Sequence, residues 1–363
     1  MRKISFFKVV PSLRCTLPGY LILLFVALGV ILPLPVKATS VIDGISEEVN
    51  RVFEQSSPAV VRIFSPSRLV PLSGTGFFID NQGTVLTSIS VIGDAFKAIV
   101  EYKGKKYDGV VLGLDPRSGI ALLRITAGEA TPFLTLGDSD KLRTASGLIS
   151  VAYPYNLPVA PNFGNVAGFD VQYLNCFFAT THIRANLAVS PGQIGGPLLN
   201  SREEVVGLMV MAIEQGKGCY ALPSRAAKKI IDDIAHYGEA RHGWVGVGVV
   251  QDERENLTAK PVKISQLFKD TPAESSGLQM GDHVLKIGDR EIHKPADILD
   301  AAFFSKVGQK IPIDVLRNGV QKQFTIEVRE RPSQSRIVAP SKAFVPPSQV
   351  QANEPIQVKA TLK

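Results

Sequence analysis

Between Pro58 and Pro223 short β-rich runs alternate with turn formers, and that alternation leaves few architectures open. "PAVVRIF", "GTGFFID", "GTVLTSISVI", "KAIVEY", "GVVLGL" and "GIALLRI" are separated by Gly, Asp, Asn and Pro. "GLISVAY", "VQYLNCFFAT", "PLLN", "EVVGLMVMAI" and "CYALP" continue the series. Many short strands at this spacing make a barrel or a sandwich. A helix is expected on each side. "SEEVNRVFEQ" sets Val49, Val52 and Phe53 at helical spacing. "SRAAKKIIDDIAHYG" opens on Ser224 as a cap, carries Ala227, Ile230, Ile231 and Ile234 on one face, and stops at Gly238.

A second unit begins at "GWVGVGVV" and runs through "VKISQLF", "HVLKIGDREI", the helical "PADILDAAFFSKVG", "IPIDVLRNG" and "KQFTIEVRE". It reads as a small β-rich domain with one clear helix, and Asn318-Gly319 marks a tight hairpin. The organisation expected is an N-terminal segment over 1–38, a first domain over 39–240, a second over 241–330, and a Pro-, Ser- and Gln-rich tail over 331–363 that reads as disordered.

The formal charge of +7 sits at the ends. Five basic residues and no acid in 1–38, with five against one in 331–363, leave the middle of the chain at −2. A nucleic-acid surface would carry its positive charge on the fold, so that class is set aside. No zinc-ligand spacing and no phosphate-cradling glycine loop is present, so neither metal nor cofactor is expected. The start of the chain is basic, then apolar, and closes on Val36-Lys37-Ala38, the pattern of an export signal cleaved after Ala38. The other reading is an uncleaved membrane anchor, since Leu17 to Val36 is nearly long enough to span a bilayer. Export permits a disulfide between Cys176 and Cys219; the alternative is two buried thiols.

"SPGQIGGPLLN", Ser190 to Asn200, has the glycines and prolines of a nucleophile loop but an isoleucine, Ile194, at its centre. Together with "SPAVVRI", "GTGFFIDNQGTVLTSISVI", "DPRSGIALLRI", "CYALPS" and "TPAESSGLQMGDHVLKIGDREI", in that order along the chain, it resembles the HtrA/Deg family of exported serine proteases. The resemblance covers roughly residues 45–330. It implies a mainly β chain, a trypsin-like double β-barrel followed by a PDZ domain.

Carried over position by position, the catalytic histidine falls on Ser90, the aspartate on Gly119 and the serine on Ile194. A trypsin-like site needs a hydroxyl that attacks, an imidazole that takes its proton and a carboxylate that orients the imidazole. Isoleucine carries no heteroatom, and loss of even one triad member costs about 10⁴-fold in turnover. His182 lies twelve residues before Ile194; His236 and His242 fall in the closing helix and linker, and His283 and His293 in the second domain. Ser90 and Ser190 offer hydroxyls with no evident base. The amides of Gly192 and Ile194 occupy the family's oxyanion positions; without a nucleophile they are vestigial. The resemblance therefore implies a degenerate triad, with Ile194 turned inward.

The same resemblance implies a peptide groove. A PDZ domain adds an extended C-terminal peptide to a sheet edge and holds its carboxylate on backbone amides. Trp244, Val245, Gly246 and Val247 match that loop, the peptide would pair along Val247 to Val250 including Val249, and a helix from Ala296 would wall the groove with Leu299, Ala302 and Phe303. Such a groove suits peptides or unfolded proteins with apolar C-termini; the other reading is that these residues are only core. The expected function is an exported, non-catalytic HtrA-like protein acting as scaffold, chaperone or regulator, alone as a homo-trimer or mixed with an active relative, and touching membrane only through an uncleaved N-terminus. The alternatives are an endopeptidase using non-standard residues and a structural envelope protein.

Overall fold

The structure, a computed structural model, describes residues 40–66, 72–174, 176–252 and 261–331. The expected signal or anchor over 1–38 and the tail beyond Arg331 lie outside the described residues. The chain divides into two compact units, Met1–Ser46 and Glu47–Lys363. Of the first, only the opening turns of helix α1 (Val41–Ser56) are described, where the Gly44 amide donates to the Ser40 carbonyl. No helix among the described residues is long and apolar enough to cross a membrane.

The second unit contains two six-stranded barrels and a smaller sheet. The first barrel is built from β1 (Val60–Ser65), β2 (Leu72–Phe78), β3 (Thr84–Ser88), β4 (Lys97–Tyr102), β5 (Lys105–Asp115) and β6 (Ile120–Arg124), closing in the order β1-β2-β3-β6-β5-β4. A single helical turn, α2 (Ile89–Ile92), follows β3. The second barrel takes β7 (Gly147–Ala152), β8 (Ala160–Tyr173), β9 (Cys176–Asn186), β10 (Pro197–Leu199), β11 (Val205–Ile213) and β12 (Gly218–Pro223), closing as β10-β11-β12-β9-β8-β7. Every pair in both barrels is antiparallel, and closure removes the exposed edges. β3 is buried on both faces because neighbours cover it inside and outside the barrel.

Helix α3 (Ser224–Tyr237) closes the barrels, ending at Gly238 with φ +79. It lies so close to β5 that a Cβ on Gly113 would sit 2.7 Å from Ile234. One apolar cluster joins Val52 of α1, Phe77, Leu86, Leu199 and Leu208 of the barrels, and Ile230 and Ile234 of α3.

The remaining sheet, with its own core around Val262, Ile264, Val284, Ile313 and Val315, is the second domain. β13 (Gly243–Trp244) leads to β14 (Val247–Gln251) and β15 (Val262–Leu267); α4 (Pro272–Ser275), β16 (His283–Ile287), β17 (Arg290–Glu291), α5 (Pro295–Phe304), β18 (Lys310–Arg317), β19 (Val320–Glu327) and β20 (Arg329–Glu330) follow. Its order is β14-β15-β16-β18-β19, with β17 on β16, so β14 is an edge strand among the described residues. Asn318 and Gly319, both at positive φ, make the expected tight turn between β18 and β19. β13 pairs with β20, which draws the two ends of the domain together.

The disulfide reading is corrected. Cys176 is exposed, Cys219 is buried, and both are free. Cys219 pairs with Ala185 on β9, nine residues along that strand from Cys176, a separation of about 30 Å at strand rise against the 7 Å that a disulfide tolerates. Burial pushes the Cys219 thiol up to about 12, so it behaves as a small hydrophobe.

Candidate functional site

The loop Ser190–Gly196 is held by its own backbone and by the first barrel. The Gln193 amide donates to the Ser190 carbonyl at 3.2 Å, and the Gln193 side chain accepts the Ser190 amide at 2.6 Å. Gly195 has φ +86 and donates to the Met209 carbonyl; a Cβ there would fall 2.2 Å from the Thr75 carbonyl oxygen. Only glycine fits. Thr75 on β2 bridges the two barrels. Its amide donates to the Ile194 carbonyl at 2.9 Å, its hydroxyl to the Gly192 carbonyl at 2.7 Å, and the same hydroxyl accepts the Tyr153 amide.

The three positions assigned by resemblance sit on adjoining elements. Ser90 lies on α2, capped by Ser88, whose hydroxyl is 2.9 Å from that of Ser90. Ile89 donates to the Gly119 carbonyl at 2.9 Å, which ties α2 to the turn before β6. Gly74 separates α2 from the loop: a Cβ on it would meet Val91 at 2.4 Å and the Ile194 carbonyl at 2.9 Å. Gly119 has φ +77 and faces Val210. The Ile194 side chain is half-buried and touches both the first-barrel cluster and the second-barrel cluster. It is a hydrocarbon wedge between the barrels. The amides of Gly192 and Ile194 make no hydrogen bond among the described residues.

No histidine is bonded to Ser90 or Ser190 among the described residues. His182 is buried and stacked on Phe178 at 4.2 Å, with Nδ1 on the Thr180 carbonyl. Burial pulls its pKa down to about 4, against the opposing pull of the Thr180 carbonyl and the Asp300 charge. His236 and His293 are exposed, and His283 is on Asp252 at 3.2 Å.

His242 is the residue that sequence reasoning missed. It is buried, with Nε2 at 3.0 and 3.1 Å from the two Asp115 oxygens, and Ser118 donates to the same carboxylate. A hydroxyl, an acid and an imidazole thus meet, but in the wrong order. A triad needs the hydroxyl on the imidazole; here both bond the acid, and Asp115 and His242 are 3% and 8% exposed, too enclosed for a substrate. Burial pushes the Asp115 carboxyl up; His242 and Ser118 outweigh it and hold the group below its ordinary value. His242 lies far from Asp115 in sequence, so no local pattern announces the pair.

The second candidate site is the β14 edge. Val245 is buried, and its carbonyl accepts the Ala273 amide; the Gly246 carbonyl accepts the Phe268 amide. Gly246 has φ +81, and a Cβ on it would lie 2.3 Å from Thr271. Trp244 stacks at a tilt on Phe268, and Val247 and Val249 are half-buried against the sheet core. Leu299 is half-buried. Phe303 is corrected: it points away from the groove into the barrel cluster, 5.5 Å from the His242 ring, and is 2% exposed. Ala302 is also covered, its carbonyl lying 2.3 Å from where a Gly243 Cβ would be. The far side of α5 is occupied by the second barrel, where Asp300 accepts from Thr180 and Thr181, so the helix has two apolar faces and only one meets the groove.

Residues 74–208 match the trypsin-like peptidase domain and residues 243–328 the PDZ domain. The HtrA-type protease AlgW, solved with a tripeptide, superposes with a TM-score of 0.69 at 25% identity, over 78% of this chain and 97% of that one. The fold of this chain, a trypsin-like domain followed by a PDZ domain, matches that of HtrA-type structures. Among curated relatives, a Chlamydia trachomatis serovar D protein named "Probable periplasmic serine endoprotease DegP-like" is 29% identical over 292 residues, 77% of this chain and 58% of its own length. A protein of the same name from Ectopseudomonas mendocina is 28% identical over 313 residues, 82% of this chain and 65% of its own. The chain thus spans less than two thirds of either relative.

Proposed function

We propose that this chain is an exported, non-catalytic HtrA-like protein that holds peptides or unfolded chains with apolar C-termini at its PDZ edge strand. The observation that carries the reading is Ile194: the loop keeps its hydrogen bonds and its glycines, and at its centre stands a side chain with nothing to attack with. Ser90 and Gly119 complete a cleft without base or acid. The relatives' names, which place them in the periplasm, support export. The β14 edge strand, beside a half-buried Leu299 and below the Trp244–Val247 loop, supports peptide addition.

The test uses the mature chain with casein, a fluorophosphonate probe, and a labelled peptide ending in a free apolar residue. The expected result is no turnover, no labelling, and anisotropy-detected peptide binding that is lost when the C-terminus is amidated. Serine-specific labelling together with inhibitor-sensitive turnover would overturn it. An endopeptidase reading draws on the relatives' names and on the Ser88–Ser90 hydroxyl pair. It requires that Ser90→Ala or Ser190→Ala abolish proteolysis.

A further inference from the structure

Where the PDZ domain rests on the second barrel, the seam holds a pocket of about 220 Å³. β9 and the first turn of α3 supply the barrel wall, and α5 with the residues before it supplies the other. The pocket lies apart from both the β14 edge and the Ile194 loop.

Its acids are already committed. Asp300 accepts the Thr180 hydroxyl at 2.6 Å, the Thr181 amide at 2.8 Å, the Thr181 hydroxyl at 2.9 Å and Arg290 at 3.2 Å. A carboxylate offers about four lone-pair sites, so Asp300 is saturated. Asp140 takes Arg225 at 2.9 Å. The cations are not exhausted. A guanidinium carries about five N–H donors, and Arg225 and Arg290 use few of theirs. The Lys294 ammonium, also in the wall, has no carboxylate partner among the described residues. Arg290 also lies 3.8 Å from Asp297, behind the wall, so the two arginines are paired and Lys294 is the lining cation that faces the space without a carboxylate among the described residues.

The rest of the wall mixes the hydroxyls of Ser139, Thr180 and Thr181 with an apolar part. Phe304 lies under the Arg225 guanidinium, 4.0 Å from ring centroid to carbon, which holds that group flat, and Phe169 and Ile183 face the same space. The volume equals that of about seven liquid waters, room for a ligand of about ten non-hydrogen atoms.

We propose that this seam is a second ligand site, which takes a small carboxylate on a flat apolar body, its anion between Lys294 and the guanidinium groups of Arg225 and Arg290. Because Arg225 belongs to the barrel and Lys294 to the PDZ domain, the ligand bridges the two.

Benzoate, titrated calorimetrically into the full chain, tests this, with benzamide as the uncharged control. Saturable binding with a Kd of about 1 mM is expected, and about tenfold weaker binding for benzamide. Lys294→Gln and Arg225→Gln each weaken benzoate about tenfold. Both residues are exposed, so both variants are expected to fold, and circular dichroism checks it. A saturating apolar-ended peptide leaves benzoate binding unchanged. The proposal is overturned by benzoate and benzamide binding alike, by indifference to both substitutions in folded variants, by no saturation at about 10 mM, or by displacement with the peptide, which would put benzoate at the β14 edge. None of these outcomes depends on whether the cleft is catalytic.

Discussion

At the scale of single residues, the cleft turns on Ser90, Ile194 and the backbone angle of Gly119. Ile194→Ser restores a hydroxyl with no base beside it, so no casein turnover is expected. The same change withdraws a half-buried hydrocarbon from both barrel cores and lowers stability by about 1–2 kcal/mol in urea unfolding. Gly119→Asp restores a carboxylate at φ +77, where an L side chain costs about 1–2 kcal/mol. Restoring all three groups at once therefore yields a strained site rather than a working one, and the triple variant should unfold at lower urea than the parent. His182 belongs to this scale too. Its folded pKa of about 4 lies below the unfolded value of 6.5. The unfolded chain binds the proton first, so stability is whole above pH 6.5 and falls toward pH 4, by about 3 kcal/mol. The urea midpoint should track that slope, and His182→Phe should flatten it.

At the scale of elements, the turn Asp115–Gly119 matters most. Its carboxylate caps the turn, accepting from Arg117 and Ser118, and reaches His242 at the start of the PDZ domain. The Arg331 amide donates to the His242 carbonyl, so both ends of that domain meet the barrel here. Because the Asp115 pKa is depressed on folding, its contribution is whole above the ordinary carboxylate value of 3.8 and is lost as pH falls through the lower folded value. Asp115→Asn should remove the most acidic part of the pH–stability curve while leaving the His182 slope in place. Helix α5 shows why element-level reading of sequence stops short. Its apolar residues were legible, but a ten-residue helix between two partners buries both sides. The pattern alone does not say which partner takes Phe303.

At the scale of the whole molecule, Phe303 packs the PDZ domain into the barrel core. It sits in the same cluster as Val52, Ile230 and Ile234, so barrel and PDZ unfolding should coincide. Phe303→Ala removes that tie at about 3–5 kcal/mol, and calorimetry should then show two transitions in place of one. The run of short strands, the closing helix, the Asn318-Gly319 turn and the loop around Ile194 were all readable beforehand, because each depends on neighbours within a few residues. That Ile194 stands at the centre of this loop is likewise read directly from the sequence. Only the folded chain decided that Cys176 starts β9 while Cys219, on β12, pairs near the far end of that strand. The fold likewise paired His242 with Asp115 and turned Phe303 away from the groove. Those outcomes depend on which strands close a barrel and which faces meet at a seam, and distances of that kind are set by packing between segments far apart in sequence.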